Sequence, residues 1–339
     1  MQKDNPEITV LMPVYNGADF ITEAVQSILG QTYSDFELLI INDGSTDNTS
    51  ELIRRFTDRR LRLIDHPANA GLITRLNEGL SLARGRFIAR MDADDIAFPQ
   101  RLARQMEVFN NDPQVIACGS WYYSFTVSKK KLHVVKGGDA YLKSLLLFAT
   151  CFNHPTVMFR NVVDLRFDPS KQHAEDYAFW TRLAERGAFH IINEPLLFYR
   201  IHPKQITERF SVKQKQVSAE IRKDYLDHLG FVYTSADLVY HNQLGDNYRA
   251  RNIADLRGQE LWLLNLERQN AQRSAIEQGT FRSLLFKFWM ESCGNSSIGL
   301  TAFRMALHSP LSRFGKYTVL QKIRLLFKCL IRFRLPGRG

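Results

Sequence analysis

Residues 8–17 read ITVLMPVYNG, an apolar run with one threonine that ends in a short polar segment. Such a run predicts a strand buried on both faces, as in a parallel sheet covered by helices. Similar runs begin 25 to 29 residues apart, at residues 36, 61, 86 and 115. Between them lie helical patterns, at 18–30, 47–58, 72–84 and 99–110. This rhythm predicts an α/β fold with an open, mostly parallel, twisted sheet and flanking helices.

The second half of the sequence departs from this rhythm. Residues 121–136 alternate aromatic, β-branched and basic residues, which predicts an antiparallel hairpin or a loop. The remaining patterns predict helices at 139–149, 175–187 and 211–229 and short strands at 156–160, 189–192 and 196–201. Beyond about residue 205 the strand patterns stop. We therefore expect a catalytic domain of residues 1–210 and a helical C-terminal region of residues 211–339.

The charge of the chain is concentrated at its C-terminal end. The 339 residues carry a formal net charge of +10, and nine of the 45 basic residues follow Glu291, the last acidic residue. The preceding part is nearly neutral, which argues against a broadly basic nucleic-acid-binding domain, so no nucleic-acid partner is expected.

The sequence also indicates a compartment. The four cysteines are scattered and form no C-x-x-C pair, which argues against a zinc ribbon or a disulfide scaffold and favours the reducing cytoplasm. The N-terminal apolar run is short for a signal peptide, and no apolar stretch reaches the length of a transmembrane helix.

Small polar or acidic residues follow three of the predicted strands. They are Val14-Tyr15-Asn16-Gly17, Asn42-Asp43-Gly44-Ser45 and Asp92-Ala93-Asp94-Asp95. Ligands of open α/β sheets bind beyond the carboxyl ends of the strands, so these segments predict a binding site. Asn-Gly and Asp-Gly are also ordinary turn sequences, so the first two segments are weak evidence taken singly.

The acidic segment, residues 92–95, is the most informative of the three. Three carboxylates in four residues repel one another unless a cation or solvent screens them, and hard oxygen ligands suit Mg²⁺ or Mn²⁺. A solvated acidic turn is the alternative. An EF-hand is disfavoured because the loop lacks the glycine and the distal glutamate. No P-loop or G-x-G-x-x-G sequence is present, so a metal would have to hold a phosphate-bearing ligand, most economically a nucleoside diphosphate.

Together with later segments, these residues resemble the family-2 inverting glycosyltransferases of GT-A fold. The resemblance covers residues 7–205 in an ordered series of segments, namely Pro13–Asn16, Asn42–Asp47, Asn69–Gly71, Asp92–Asp95, His154–Arg160, Glu175–Trp180 and Tyr199–His202. No Gln-x-x-Arg-Trp sequence follows Trp180, which implies a non-processive, single-addition enzyme rather than a polymer synthase.

The resemblance implies a role for particular residues. It implies Mn²⁺ or Mg²⁺ as cofactor, with the metal ligands Asp92, Asp94, Asp95 and His202. It implies Asp176 as the general base, with Glu175 beside it. It implies contacts to the nucleotide-sugar donor, UDP-linked by preference, from Pro13, Val14, Tyr15, Asp43, Gly44, Ser45, Asn69, Gly71, Arg75, Asn77, Asp92 and Ala93.

Two departures from the family pattern concern donor contacts. Asn42 stands where many members carry a first aspartate, and Leu76 interrupts a more usual Ala-Arg-Asn sequence around Arg75 and Asn77.

The acceptor implied by the resemblance is a glycan or a lipid-linked glycan in surface polysaccharide synthesis. Glu175 and Asp176 could also be an ordinary acidic first turn of a helix, and His154 and His202 could be structural histidines.

Residues 319–335 (VLQKIRLLFKCLIRFRL) predict a basic amphipathic helix. At about 100° per residue, Val319, Ile323, Leu326, Leu330 and Phe333 share one face, opposite Arg324, Lys328 and Arg332. Such helices lie at membrane interfaces, so we expect peripheral contact with the inner face of the cell membrane through residues 310–339. An ordinary helix packed on its own domain is the alternative.

Two other functions remain open at this point. A nucleotidyltransferase acting on sugar phosphates would also combine a nucleotide fold with acidic metal ligands, but it normally needs a basic glycine-rich loop near the first strand. A non-enzymatic membrane- or nucleic-acid-binding module would explain the tail. It would leave the acidic segment and the Glu175-Asp176 pair unexplained.

Overall fold

The computed structural model describes residues 5–202 and 211–334, without the side chains of residue 211 and residues 332–334. Contacts within the chain divide it into two compact units. The first consists of Met1–Asp139 and Thr150–Val217, and the second of Ala140–Ala149 and Ser218–Gly339. Of the helices in the described ranges, none is long and apolar enough to cross a bilayer.

The first unit is built on one mixed sheet. Its strands are β1 Ile8–Val14, β2 Phe36–Asn42, β3 Leu61–Asp65, β4 Phe87–Arg90, β5 Ile96–Ala97, β6 Val115–Phe125, β7 Lys130–His133, β8 Met158–Arg160 and β9 Ala188–Arg200. The order across the sheet is β3-β2-β1-β4-β8-β6-β9-β5, with β7 paired to β6 as a hairpin. Strands β1 to β4 are parallel, β8 is antiparallel to both neighbours, and β6 and β9 are parallel.

The helices of the first unit connect these strands. They are α1 Ile21–Leu29, α2 Thr49–Arg54, α3 Leu72–Leu82, α4 Arg101–Asn111 and α6 Glu175–Leu183, with 3₁₀ helices at His154–Thr156 and Pro169–Lys171. Helix α5, Asp139–Leu145, begins at the last residue of this unit's first segment and otherwise belongs to the second unit. Every residue of β1 and β2 is buried, as expected for central strands covered on both faces. The predicted α/β fold is confirmed, and the parallel strands direct their carboxyl ends to one edge.

The second unit is helical. Its helices are α7 Ser211–His228, which begins in the first unit, α8 Ser235–Gly245, α9 Ile253–Arg273, α10 Gln278–Asn295, α11 Leu300–His308 and α12 Val319–Arg334, with a 3₁₀ helix at Pro310–Phe314. His241 is buried among them: its Nε2 donates to the Leu147 carbonyl at 2.7 Å and its Nδ1 accepts from the Trp262 indole at 3.1 Å. Burial lowers the pKa of His241 to about 3, so this histidine is a neutral structural residue.

Candidate active site

The loops that follow β1 and β2 are joined by hydrogen bonds. The Asn16 backbone N–H donates to Ser45 Oγ at 2.8 Å, and the Thr46 backbone N–H donates to Asn16 Oδ1 at 2.8 Å. Gly44 has φ of +68°, and a Cβ there would lie 2.4 Å from the Ala68 carbonyl carbon. Only glycine suits that backbone conformation and that close approach. The loops therefore form one continuous surface at the carboxyl edge.

Asp43 ties these loops to the start of α3. Its buried carboxylate accepts hydrogen bonds from the backbone N–H groups of Ala70 at 2.8 Å and Gly71 at 2.9 Å. Arg75 Nε donates to the same carboxylate at 2.6 Å, and Arg75 Nη1 also pairs with Glu78 at 3.0 Å. The Asp43 carboxylate therefore accepts hydrogen bonds from Ala70, Gly71 and Arg75. Its contact with the base of a donor stays a prediction.

Asp43→Asn is expected to destabilise the fold measurably. It removes the more buried of the two carboxylates that pair with the Arg75 guanidinium, and breaking a buried pair of this kind costs about 3 kcal/mol. Urea unfolding would measure the loss. In the control Glu51→Gln, the ion pair with Arg55 is more than 60% exposed on both sides and the expected cost is under about 1 kcal/mol. Equal losses in the two variants would contradict this view of Asp43.

The acidic segment forms a compact cluster after β4. One carboxylate oxygen from each of Asp92, Asp94 and Asp95 lies within 4.8 Å of the others. Burial, reinforced by the Asp92 charge, raises the pKa of Asp94. Burial also raises the pKa of Asp95 well above its usual range, with Asp92 and Asp94 adding to the effect. The cluster is therefore short of positive charge.

An arginine and a histidine contact the carboxylates of this cluster. Arg90 Nη2 lies 2.5 Å from Asp92 Oδ1, and His202 Nε2 lies 2.8 Å from Asp94 Oδ2. Asp95 Oδ1 accepts the Arg200 backbone N–H at 2.9 Å, whereas its buried Oδ2 has no hydrogen-bond partner within the described ranges. Convergent hard oxygens, one of them buried and unpartnered, fit a divalent cation such as Mg²⁺ or Mn²⁺.

The Glu175-Asp176 pair begins α6, and its charges interact with those of the acidic cluster. Burial, helped by the Glu175 charge, raises the pKa of Asp176 to about 7, although Arg90 and the Tyr177 backbone N–H act in the opposite direction. Burial also raises the pKa of Glu175, with Arg90 lowering it and Asp92 raising it. A carboxyl with a pKa near neutrality is suited to accept a proton at physiological pH.

Sequence reasoning missed Arg90. Its side chain is 3% exposed, and its charge acts on Asp92, Glu175 and Asp176. The available signal was an arginine inside an otherwise apolar strand, since a buried charge needs a partner.

Comparison with known proteins identifies the chain. The family model described as Glycosyl transferase family 2 matches residues 9–165. An uncharacterized glycosyltransferase of Haemophilus influenzae is 30% identical over 263 residues, which cover 70% of this chain and 81% of the relative. The chain belongs to glycosyl transferase family 2. The O-antigen biosynthesis glycosyltransferase WbnJ of Escherichia coli is 29% identical over 65% of this chain and 89% of its own length.

Solved structures show the fold of this glycosyltransferase. Staphylococcus aureus TarS 1-349 in complex with UDP-GlcNAc has a TM-score of 0.57 and 16% identity, over 92% of this chain and 93% of that one. The mannosyltransferase PcManGT of Pyrobaculum calidifontis, in complex with GDP-Man and Mn²⁺, has a TM-score of 0.53 and 17% identity, over 97% and 88%. The fold is that of the GT-A glycosyltransferases.

The remaining residues assigned from the resemblance lie in different settings. Pro13 and Val14 are buried at the end of β1, whereas the following Tyr15 is 50% exposed. Asn69 is exposed, and Ala93 is half-buried in the acidic segment. Their roles in donor binding stay predictions.

Both polar atoms of the Asn77 side-chain amide are hydrogen-bonded within the protein. Its Nδ2 donates to the Phe167 carbonyl at 2.8 Å, and its Oδ1 accepts the Phe167 backbone N–H at 2.8 Å. Both polar atoms of the Asn77 amide therefore hold the backbone that leads towards α6.

His154 is placed as a buried neutral residue. Its ring lies 5.8 Å from Trp180 and 5.6 Å from Phe167. Burial, with the nearby Arg90 charge, lowers its pKa well below the usual range. Its Nε2 has no hydrogen-bond partner among the residues that the structure describes. The aromatic contacts support the structural alternative for this histidine.

Proposed function

We propose that this glycosyltransferase is a metal-dependent, inverting enzyme. It moves one sugar from a nucleotide-sugar donor, UDP-linked by preference, to a hydroxyl of a glycan or lipid-linked acceptor in surface polysaccharide synthesis. The observation that carries the proposal is the convergence of three carboxylate oxygens after β4, electrostatically coupled to a Glu-Asp pair in which the Asp176 pKa is about 7.

The acidic cluster has the chemistry to hold Mn²⁺ or Mg²⁺. We assign Asp92, Asp94 and Asp95 as carboxylate ligands and His202, which contacts Asp94, as a further ligand. When bound, the divalent cation supplies the positive charge that a nucleoside diphosphate leaving group needs. The buried Oδ2 of Asp95, which has no hydrogen-bond partner among the described residues, supports this assignment.

The Asp176 carboxylate would act as the general base. It takes the proton of the acceptor hydroxyl as the acceptor oxygen forms its bond to the anomeric carbon, while the bond to the diphosphate oxygen breaks. A single displacement from the opposite face inverts the anomeric configuration. Burial keeps the pKa of Asp176 high, the negative charge of Glu175 adds to the rise, and Arg90 limits it.

The donor surface would comprise the joined loops after β1 and β2 and the start of α3. The exposed Tyr15 ring is suited to pack against a base, and Asp43 positions the backbone of Ala70 and Gly71. The complexes of TarS with UDP-GlcNAc and of PcManGT with GDP-Man and Mn²⁺ support a nucleotide-sugar donor. The O-antigen relative WbnJ supports a polysaccharide product.

The proposal extends to organisation and location. We assign residues 1–210 as the catalytic domain and residues 211–339 as a helical region, in a cytoplasmic protein that contacts the inner face of the cell membrane through residues 310–339. A lipid-linked acceptor would be presented at such a surface. One sugar is added at each encounter, because the sequence lacks the motif of processive members.

A panel of nucleotide sugars tests this function. With Mn²⁺ present, at least one UDP-sugar is expected to release UDP and an inverted glycosyl product, and EDTA should stop the release. Nucleoside triphosphates with sugar 1-phosphates serve as the control, since a nucleotidyltransferase would release pyrophosphate from them. Pyrophosphate release without any turnover of the nucleotide sugars would contradict the proposal.

A further inference from the structure

The C-terminal helix α12 packs through a narrow side. Leu325 and Cys329 are buried, and Cys329 Sγ lies 3.6 Å from the Cys293 carbonyl oxygen of α10. A Cβ at Gly294 of α10 would lie 3.2 Å from Leu325 Cδ1, which shows how closely the two helices approach. This packing side differs from the apolar face that the sequence predicts.

The predicted apolar face is largely exposed. Val319, Ile323 and Leu330 belong to it and are 40% to 74% exposed, Leu326 is half-buried, and the side chain of Phe333 is not described. At about 100° per residue the exposed apolar side chains share an arc of roughly 120°. This apolar arc consists of Val319, Leu320, Ile323, Phe327, Leu330 and Ile331.

Basic residues border the apolar arc on both sides. Arg324 and Lys328 follow it on one side in the helical projection, and Lys322 precedes it on the other, all with exposed side chains. No acidic residue follows Glu291 in the sequence. A partner that covers this face must therefore accept apolar side chains at its centre and bring negative charge to its rim.

We propose that the apolar arc of α12 inserts into the interface of an anionic lipid bilayer, with its basic borders on the lipid headgroups. An acyl-chain boundary accepts the apolar side chains, and anionic headgroups pair with the flanking cations. A second copy of the chain fits less well, because two such faces would bring like-charged borders together. The inference rests on the proposed membrane contact, but not on the proposed chemistry.

Vesicle co-sedimentation of the full chain tests the inference. We expect binding to vesicles rich in phosphatidylglycerol, weak binding to pure phosphatidylcholine vesicles, and loss of binding at high salt. Leu320→Ser/Phe327→Ser should weaken binding at least about tenfold because it removes buried apolar area. Lys322→Glu/Arg324→Glu should weaken it at least about tenfold through lost headgroup attraction.

Matched controls lie in the same unit. Leu261→Ser on α9 removes an apolar side chain that is 59% exposed, and Arg251→Glu reverses an exposed charge before α9; both should bind as the parent does. Calorimetric titration of UDP into each variant shows whether its donor site is intact. A failure of the membrane inference can then be distinguished from a failure of the proposed glycosyltransferase function. Vesicle binding that is absent, or unchanged in the α12 variants, would overturn the inference. A dimer that dissociates only in the α12 variants would assign the arc to a second copy instead.

Discussion

Asp176→Asn is expected to lower kcat by about 10²–10⁴-fold, the usual contribution of a positioned general base. The amide keeps the shape of the carboxylate but cannot take the acceptor proton. Donor affinity should change only a few-fold, because Asp176 is assigned to the acceptor hydroxyl. Single-turnover kinetics with the best UDP-sugar, together with calorimetric UDP binding, would separate the two effects.

The same residue predicts a pH dependence. A base must be ionised, so with a pKa of about 7 for Asp176 the rate in the parent enzyme should rise as the pH passes upwards through about 7. Between pH 3.8, the usual pKa of an aspartate, and about pH 7, Asp176 is protonated in the folded chain and ionised in the unfolded chain. The contribution of Asp176 to the free energy of unfolding therefore falls as the pH rises through this range. At pH 8 the folded parent must keep Asp176 ionised in a buried position, and Asp176→Asn removes this cost. The free energy of unfolding of the variant in urea should therefore exceed that of the parent at pH 8 by up to about 4 kcal/mol.

The control for this prediction is Asp164→Asn. Asp164 is an exposed carboxylate paired with Arg186 and lies outside the proposed site. It should leave kcat and the pH profile unchanged. If Asp176→Asn turned over donor and acceptor at a near-normal rate, Asp176 would have no part in the reaction.

Asp94→Asn is expected to weaken Mn²⁺ binding by more than about 100-fold, because loss of even an outer-shell partner costs 10- to 100-fold. Asp94 carries one of the three convergent oxygens and also the contact to His202, so the substitution disturbs two of the proposed ligands. Metal-dependent turnover should fall accordingly. Titration of Mn²⁺ followed by electron paramagnetic resonance measures the bound and free ion directly.

Asp19→Asn is a suitable control for the metal prediction. Asp19 is an exposed carboxylate between β1 and α1, outside the acidic cluster. It should bind Mn²⁺ as the parent does. Full activity of Asp94→Asn, or of the parent in excess EDTA, would refute the metal assignment.

The sequence predicted the parallel half of the sheet because that half depends on local patterns. The strands expected at residues 8, 36, 61 and 86 are present as β1 to β4, since central strands of a parallel sheet are continuous apolar runs. Their order in space is not local. Strand β8 arrives about 70 residues after β4 and inserts antiparallel between β4 and β6, a pairing that no local pattern encodes.

Strand β9 shows how a local signal can mislead. Two strands were predicted, at 189–192 and 196–201, but Ala188–Arg200 is one strand. Pro195, which lacks an N–H, lies within this strand. In the sheet it lies opposite Trp121, where the register with β6 shifts, and a bulge tolerates proline. The two-residue strand β5 was too short to give any pattern.

Within the site, sequence spacing located the acidic cluster but not its surroundings. Three carboxylates in four residues must lie close together wherever the segment folds. The position of Arg90 beside Asp92 and the coupling of both to Glu175 depend on burial and on how distant elements pack. The sequence pattern of α12 likewise gave its apolar face but not the side formed by Leu325 and Cys329, through which the helix packs on α10.

Calorimetric titration of UDP into the full chain, with Mn²⁺ and then with EDTA, tests most directly whether the acidic cluster holds a cation that in turn holds a diphosphate. The account predicts that Mn²⁺ tightens UDP binding by about tenfold or more, that UDP tightens Mn²⁺ binding by the same factor, and that Asp94→Asn removes the coupling. Equal UDP affinity with and without the metal would contradict it.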